Sequence, residues 1–329
     1  MDLRTTYLGL ELRNPLVASA GPLTGSYDGI MRLAEAGVGA VVLPSLFEEQ
    51  LRRENEHGSS ALEYLPAMGE PLRAARYVNL IEKAAANAGV PVIASLNGVS
   101  PGGWTDYATV LADAGASAIE LNVYYLPSDP KFPARDAERL CVEVLTTVKA
   151  VVNVPVAVKV GPYFSSFGEM AVLLDQVGAD GLVLFNRFMQ TDIDPETFTL
   201  STGFRLSQPG EGTLPRSWIS RLRGHVSCSL AGSTGVEKAS DVAAYLLAGA
   251  DVVMSTSALL RHGPGYAARL VDGLIEWGER KGFASATEFR GMLSAVSGRP
   301  VAAREGYLSA VEQASHAYAR LCTRARVAG

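Results

Sequence analysis

A lysine inside an otherwise apolar segment is the first residue in this sequence that suggests chemistry. Lys159 lies in the segment Pro155–Val160, and strand alternation would place it on the same face as Ala157. A buried ammonium group needs an anionic partner. Two kinds of chemistry use such a group: a Schiff-base lysine, as in an aldolase, and a fixed positive charge that stabilises an anionic cofactor. The alternative is an ordinary lysine exposed at a strand end.

Two segments rich in small and hydroxyl residues predict a phosphate site. The first is Ala231–Gly235, with the sequence Ala-Gly-Ser-Thr-Gly, and the second is Ser255–Ser257, with Ser-Thr-Ser. Small residues let the backbone approach a phosphate closely, and hydroxyl groups add hydrogen-bond donors. The first segment alone is also typical of a turn and helix cap, but the agreement between the two favours phosphate binding.

Amide and phenol side chains follow other apolar runs. Asn97, Asn122 and Asn186 each close one run, and an amide both donates and accepts hydrogen bonds, which suits recognition of the edge of a heterocycle. Asparagine is also common in turns. Tyr124 and Tyr125 are interpreted either as packing aromatics or as an acid at the active site. The four histidines show no HxxH spacing, so no metal site is predicted.

The elements that must position these residues are eight short apolar runs. Four of the runs follow the same joint, in which a helix ends at glycine and turns directly into a strand. This pattern predicts an α/β fold, a (β/α)8 TIM barrel, with one shared site at the carboxyl ends of its strands. The runs are 14–21, 39–45, 91–97, 118–122, 155–160, 181–186, 226–232 and 251–257.

The rest of the chain is predicted to form additional segments around this barrel, within a single domain of 329 residues. Residues 1–13 predict a hairpin that caps the barrel floor. A long insertion after the second run, reaching Pro71, predicts a flap over the site. A second insertion, Gln190–Pro215, predicts short strands and a gating loop. Residues 265–329 predict a helical tail, with helices over 267–281 and 287–296.

Composition narrows the class of protein and its partners. The net charge of −5, with basic residues spread through the chain, argues against nucleic acid and anionic membranes and favours a small-molecule substrate. We find no apolar stretch of 18 residues or more and no signal peptide, so a cytoplasmic location is predicted. Cys141, Cys228 and Cys322 form no CxxC pair and are interpreted as packing residues.

The order of several motifs resembles the dihydroorotate dehydrogenase family of FMN-dependent barrels, particularly its soluble class. The resemblance extends from about Leu3 to Ala284. The motifs are Leu-Arg-Asn-Pro-Leu-Val-Ala-Ser-Ala-Gly at 12–21, Ile-Glu-Leu-Asn at 119–122, Val-Lys-Val-Gly-Pro-Tyr-Phe at 158–164, Gly-Ser-Thr-Gly at 232–235 and Ser-Ala-Leu-Leu-Arg-His-Gly-Pro at 257–264.

The resemblance implies that FMN lies across the barrel mouth. Lys159 would lie by flavin N1 and O2, where its charge would offset the negative charge of the reduced cofactor. The phosphate would be held by the small-residue segments, and the remaining contacts would surround the flavin ring. The implied cofactor-binding residues are Ala18, Ser19, Ala20, Ser45, Asn97, Asn122, Lys159, Phe185, Gly232, Ser233, Thr234, Gly235, Thr256 and Ser257.

The chain departs from the family at the catalytic base. Where the family continues from the asparagine of the fourth strand into Ser-Cys-Pro-Asn, this chain has Val-Tyr-Tyr-Leu at 123–126, which puts Tyr125 at the position of the base. An unperturbed tyrosine has a pKa near about 10 and is protonated at neutral pH. Tyr125 is therefore predicted to act as a catalytic acid beside Lys159, and Tyr124 to contact the substrate.

The groups that hold orotate in the family are also changed. Pro44 replaces a lysine at the end of the second strand, and Ala61 and Ala67 lie near the positions of two expected amides. Asn186 is retained, whereas Arg187 follows it in place of a small hydroxyl residue. We expect Asn186 and Arg187 to bind substrate, with Arg187 able to hold a carboxylate.

These features favour an FMN-dependent oxidoreductase that transfers hydride between flavin N5 and a carbon–carbon bond of a small ring or carboxylate substrate other than dihydroorotate. The alternatives are an active dihydroorotate dehydrogenase of pyrimidine metabolism, a flavin-free phosphate-binding barrel lyase that uses Lys159, and a catalytically silent flavoprotein partner. With neither an NAD-binding G-x-G-x-x-G unit nor a cysteine cluster in the sequence, electrons must pass to or from another molecule or a partner chain. A homodimer is expected.

Overall fold

Short apolar runs form parallel strands that close on themselves. In the computed structural model, which describes residues 1–49, 74–98, 105–124, 129–187, 191–203, 205–295 and 306–316, eight strands form a (β/α)8 TIM barrel as predicted. In barrel order, the strands are β3 (Leu16–Ala18), β4 (Ala40–Val42), β6 (Val92–Asn97), β7 (Ala118–Asn122), β8 (Val156–Val160), β9 (Gly181–Leu184), β12 (Ser229–Gly232) and β13 (Val252–Ser255). Pairing of β3 with both β4 and β13, and of β4 with β6, closes the ring.

The inner faces of the barrel strands carry two layers of different chemistry. The lower layer is apolar and contains one or two buried side chains from each strand, among them Val17, Ala118 and Ala157. Because side chains alternate along a strand, the next inward positions are two residues further on. Several of these are polar, so the interior changes from apolar to polar towards the carboxyl ends of the strands. Examples are Ser19, Glu120, Lys159 and Ser233, all less than 10% exposed.

A hairpin closes the floor of the barrel, as the amino-terminal sequence predicts. Strands β1 (Thr5–Tyr7) and β2 (Leu10–Leu12) pair in antiparallel register around a turn at Leu8 and Gly9, which both have positive φ. Tyr7, Leu8 and Leu12 are buried against the lower, apolar layer. The hairpin therefore excludes water from the bottom of the barrel.

Helices surround the barrel, and the four predicted glycine joints are present. Gly37, Gly115, Gly178 and Gly249 all adopt the left-handed conformation, with φ between 99° and 115°. The helices are α1 (Tyr27–Glu35), α2 (Ala74–Asn87), α3 (Thr105–Asp113), α4 (Ala134–Lys149), α5 (Phe167–Val177), α6 (Thr213–Leu222), α7 (Ala239–Ala248), α8 (Ser257–His262), α9 (Tyr266–Arg280) and α10 (Ala286–Phe289).

The insertions and the tail follow the prediction in part. A short strand, β5 (Leu46–Phe47), follows β4, and the predicted flap lies largely outside the described residues. After β9, the strands β10 (Thr191–Asp194) and β11 (Thr199–Thr202) form an antiparallel hairpin, which confirms the expected short strands. The predicted helix over 287–296 is wrong in its bounds, because α10 ends at Phe289 and turns follow. None of the helices in the described part of the chain is long and apolar enough to cross a membrane.

Candidate active site at the barrel mouth

The anionic partner of Lys159 is a carboxylate on the neighbouring strand. Lys159 Nζ on β8 lies 3.3 Å from Glu120 Oε1 on β7 and 3.4 Å from Ser19 Oγ. The Lys159 side chain is 10% exposed and that of Glu120 is 1% exposed. The family resemblance implied that a cofactor supplies the anionic partner of Lys159, but the chain supplies one itself. The signal was present, since an acidic residue two positions before Asn122 must share the inward face of its strand.

Glu120 also marks the boundary between the two layers of the barrel interior. Its second oxygen, Oε2, is buried and has no hydrogen-bond partner among the described residues, and the same holds for the hydroxyl of Tyr7 at the floor. Burial, with a further contribution from the negative charge of Glu120, holds the pKa of Tyr7 well above its ordinary value. Tyr7 is therefore a neutral phenol below the carboxylate at all physiological pH values.

Amide and hydroxyl side chains predicted from different strands meet at one side of the mouth. Asn186 Nδ2 donates to Asn122 Oδ1 over 2.6 Å, and Asn122 Nδ2 donates to Ser45 Oγ over 3.4 Å. Ser45 Oγ lies 2.8 Å from Ser95 Oγ. Asn97, 6% exposed, lies opposite Asn122 in the β6–β7 register. These contacts fix the orientation of the amides and leave a connected polar edge beside Lys159.

The segment after β3 is tied to the end of β13. The Ser19 N–H donates to Ser255 O over 3.0 Å, and Thr256 Oγ1 donates to Ser19 O over 3.0 Å. Ala20 packs against the inner apolar layer, whereas the side chain of Ala18 belongs to the core between strands and helices. Ser19 and Ala20 therefore border the mouth, and Ala18 reaches it only through its backbone.

Ser207, from a third segment of the chain, connects the two predicted phosphate segments. The Gly235 N–H donates to Ser207 Oγ over 3.3 Å, and Ser207 Oγ lies 3.0 Å from Ser257 Oγ. Ser207 comes from the insertion after β9 and is 6% exposed. Ser207 could not be found from the sequence, because no motif or periodicity surrounds it. Gly232–Gly235 forms the loop itself, and both Thr234 and Gly235 adopt positive φ.

The backbone of Phe185 contacts the glycine loop, whereas its ring packs in the core between strands and helices. Thr234 Oγ1 donates to Phe185 O over 3.2 Å. The ring of Phe185 packs edge-on against Phe167 at a centroid distance of 4.8 Å, within the core between strands and helices. The resemblance implied a cofactor contact here, and the hydrogen bond of Phe185 with the glycine loop is made by its main chain.

Arg187 already holds a carboxylate of its own chain. Its Nε donates to Glu211 Oε2 over 2.8 Å, and it also donates to the carbonyl of Arg205. Arg187 and Asn186 line a cavity of about 810 Å³ between the β10–β11 hairpin and the start of α6. Tyr124 is half-buried after β7, whereas Tyr125 lies outside the described residues. A substrate carboxylate would therefore have to compete with Glu211 for Arg187.

The donor set fits a nucleotide that carries a polar ring and a phosphate. A buried cation at Lys159 stands beside the amide edge, and N–H and hydroxyl donors line the loop at 232–235 and Ser257. The loop backbone lies so close to α7 that a Cβ on Gly232 would come within 2.2 Å of the Tyr245 ring. These are the features that FMN requires, namely a positive charge near the ring and a backbone cradle near the phosphate.

Comparisons with known proteins agree with this geometry. A family model described as dihydroorotate dehydrogenase matches residues 2–277. The chain is 32% identical over 259 residues to a protein of Methanocella arvoryzae named dihydroorotate dehydrogenase B (NAD(+)), catalytic subunit, covering 76% of this chain and 85% of the relative. Proteins of the same name from Methanosarcina acetivorans and Endomicrobium trichonymphae are 30% and 27% identical, covering 86% and 90% of this chain and 94% and 98% of the relatives.

Proposed function

This chain belongs to the dihydroorotate dehydrogenase family, and from that premise we propose that it is an FMN-dependent oxidoreductase acting on a carbon–carbon bond of a small ring or carboxylate substrate. The observation that carries the proposal is the buried ammonium group of Lys159, held at the barrel mouth between Ser19 and Glu120. FMN, when bound, supplies hydride exchange at its N5 atom.

The residues at the mouth have separate tasks in this proposal. Lys159 holds a fixed positive charge that stabilises negative charge developing during the reaction, and its two contacts keep it in place before substrate arrives. Asn122 and Asn186, already oriented by their mutual hydrogen bond, present amide groups to a heterocycle edge. The donors at Gly232–Gly235, Thr256 and Ser257 hold the phosphate.

We further propose that the substrate is not dihydroorotate. Pro44, just beyond the end of β4, offers neither a charge nor an N–H group where the family resemblance implies a lysine. Arg187, the added cation, is bound to Glu211. A substrate that displaces this carboxylate must itself carry an anionic group; dihydroorotate also does, so the proposal that the substrate differs depends on Pro44 and not on Arg187.

Oxidation of dihydroorotate is the second candidate function. It is favoured by the relatives, which are named dihydroorotate dehydrogenases and which this chain matches over nearly their whole length. Those names also describe catalytic subunits of NAD(+)-linked enzymes. For this chain we propose a separate electron acceptor or donor, either a molecule or a partner chain. The single-domain organisation, the homodimer and the cytoplasmic location remain predictions.

The first experiment is the visible spectrum of the purified protein, followed by anaerobic addition of dihydroorotate. A flavin spectrum that stays oxidised supports a different substrate, and one that bleaches selects the second candidate. A colourless protein that cannot take up FMN refutes the proposal. In that case borohydride trapping of a carbonyl substrate on Lys159 would test the lyase alternative.

The proposed proton donor has its own test. Tyr125 lies outside the described residues, and its assignment depends on its position after Asn122. Changing Tyr125 to Phe should slow turnover about 10² to 10⁴-fold while leaving flavin bound, because only the transferable proton is removed. Unchanged turnover would remove Tyr125 from the mechanism. Tyr124→Phe, which alters the predicted substrate contact and leaves Tyr125 in place, should raise KM with little change in kcat.

A further inference from the structure

The outer side of the Gly232–Gly235 loop is contacted by a tyrosine of α7. The hydroxyl of Tyr245 lies 2.7 Å from Ser233 O and 2.7 Å from Thr234 O, and the residue is fully buried. Burial raises the pKa of Tyr245 far above its ordinary value, so the phenol keeps its proton. One donor is thus shared by the carbonyl groups of two successive peptides.

A cation lies on the same side of the loop. The guanidinium carbon of Arg216, in the first half of α6, is 5.4 Å from the centroid of the Tyr245 ring. Its NH1 atom is buried and has no hydrogen-bond partner among the described residues. A Cβ built on Gly212 would lie 2.6 Å from this atom and 3.2 Å from Thr234 O, which places the guanidinium in the neighbourhood of the Thr234 carbonyl.

Peptide geometry links these outer contacts to the inner side of the loop. In a trans peptide the N–H points away from the C=O of the same plane, so the N–H groups of Thr234 and Gly235 face away from Tyr245. The contact of the Gly235 N–H with Ser207 Oγ, on the side of Ser257, agrees with this direction. Thr234 has φ of 80°, a conformation that is unfavourable for a residue with a side chain and must be stabilised by its surroundings.

We propose that Tyr245 is a positioning residue that holds the Ser233 and Thr234 carbonyls outward, and that Arg216, packed over the Tyr245 ring, keeps that tyrosine in place, so that the loop turns its N–H groups toward the phosphate of the ligand. The inference rests on the proposed FMN function and deepens it. It assigns the selectivity for a phosphorylated flavin to a tyrosine and an arginine that do not touch the ligand. With both contacts present, carbonyl oxygens, which would repel a phosphate, are kept off the inner side of the loop.

The test compares FMN with riboflavin, which lacks the phosphate. Dissociation constants of both flavins are measured by fluorescence titration of the flavin-free full chain. Tyr245→Phe keeps the ring against Gly232 and removes only the hydroxyl, and we expect it to reduce the ratio of FMN to riboflavin affinity about tenfold, with riboflavin binding little changed. Arg216→Met should reduce the same ratio and weaken the salt dependence of FMN binding.

Tyr77→Phe is the matched control. Tyr77 is a second fully buried tyrosine whose hydroxyl bonds to backbone, accepting from the Ser95 N–H over 2.9 Å and lying 3.3 Å from Ser95 O. Its loss should change both flavin affinities equally and leave their ratio as in the wild type. Tyr77 lies on the far side of the barrel from the glycine loop. If the loss of any buried tyrosine hydroxyl changed flavin binding through a general loss of rigidity, Tyr77→Phe would therefore change the affinity ratio as much as Tyr245→Phe.

The outcomes separate the inference from the proposed function. If the wild type binds neither flavin, both are refuted. If the wild type prefers FMN but folded Tyr245→Phe and Arg216→Met keep the wild-type ratio, only the positioning role is refuted. A wild type that binds both flavins equally also refutes it, while leaving a flavin function intact. A reduced ratio in both variants and an unchanged ratio in Tyr77→Phe support it.

Discussion

Removal of the Glu120 charge should destabilise the barrel more than removal of any surface carboxylate. Glu120→Gln keeps the size of the side chain and an acceptor oxygen for Lys159, and it removes only the negative charge. The Lys159 ammonium, whose side chain is 10% exposed, would then face only neutral acceptors, namely the Gln amide oxygen and Ser19 Oγ at 3.4 Å. A cation in that position is neither hydrated nor neutralised.

The magnitude follows from the separation and the burial. At an effective dielectric constant of about 20, unit charges at the 3.3 Å separation of Lys159 and Glu120 attract each other by about 5 kcal/mol, part of which desolvation offsets. Breaking a buried ion pair by removing one partner costs about 3–5 kcal/mol. Because Gln retains an acceptor, we expect a loss near the lower limit, about 3 kcal/mol of the free energy of unfolding.

The assay is denaturant unfolding of the flavin-free protein, with a double-mutant cycle that adds Lys159→Met. The double variant should be more stable than Glu120→Gln alone, because it leaves no unpaired buried charge. The control is Glu143→Gln on α4, which breaks an exposed pair with Arg139 at 3.2 Å, where the two side chains are 47% and 66% exposed. That change should cost less than about 0.5 kcal/mol.

Equal losses for Glu120→Gln and Glu143→Gln would refute the reasoning. So would a double variant whose loss is the sum of the two single losses, since a sum means that the two charges do not interact in the folded protein. Either result would mean that the pair is hydrated in solution or that Lys159 has another partner.

Three further predictions concern stability and reactivity. Hydrogen bonds donated by the Ser227 and Cys228 N–H groups outweigh burial and lower the pKa of Asp175. The ionised Asp175 therefore stabilises the fold above its unfolded pKa of about 3.9, and this stabilisation is lost as pH falls through the folded pKa. Asp175→Asn should cost about 1 kcal/mol at pH 7, and unfolding at a series of pH values should show the stability difference between the variant and the wild type shrinking below about pH 4. Gly232→Ala should lower the melting temperature, with a cost of about 1–3 kcal/mol, because its Cβ would lie 2.2 Å from the buried Tyr245 ring; an unchanged melting temperature would contradict that contact. Burial raises the pKa of Cys141 to about 12, so its thiol should resist iodoacetamide at pH 8 in the folded protein and react after unfolding, as measured by mass spectrometry.

The barrel could be predicted from sequence because its signals are local. Each strand is a short apolar run, and glycine at a helix end is needed wherever the chain turns left-handed into the next strand, as at Gly37 and Gly178. The polar residues at strand ends, such as Asn122 and Lys159, could be predicted for the same reason. Parallel strands bring their carboxyl ends to one rim of the barrel, so the position of a residue along its strand is enough to predict that it lies at the mouth.

The parts that could not be predicted depend on contacts between distant segments. Ser207 joins the glycine loop only because the insertion after β9 folds back to the segment that follows β12. Phe185 would continue the inward alternation of Val183, but β9 ends at Leu184, and the ring then turns outward to Phe167. The partner of Arg187 could not be identified either, since Glu211 lies 24 residues further along the chain.

The positions of these residues explain how substrate recognition can change while the cofactor site is kept. Lys159, Glu120 and Asn122 project from barrel strands, where each backbone is held by two neighbouring strands. Pro44 and Arg187 lie just beyond strand ends, where a change of side chain leaves the strand pairing intact. A substitution beyond a strand end alters which molecule reaches the mouth without moving the ammonium group or its partner. Under the proposed function, flavin binding by this chain would therefore not by itself imply turnover of dihydroorotate, and the two have to be measured separately.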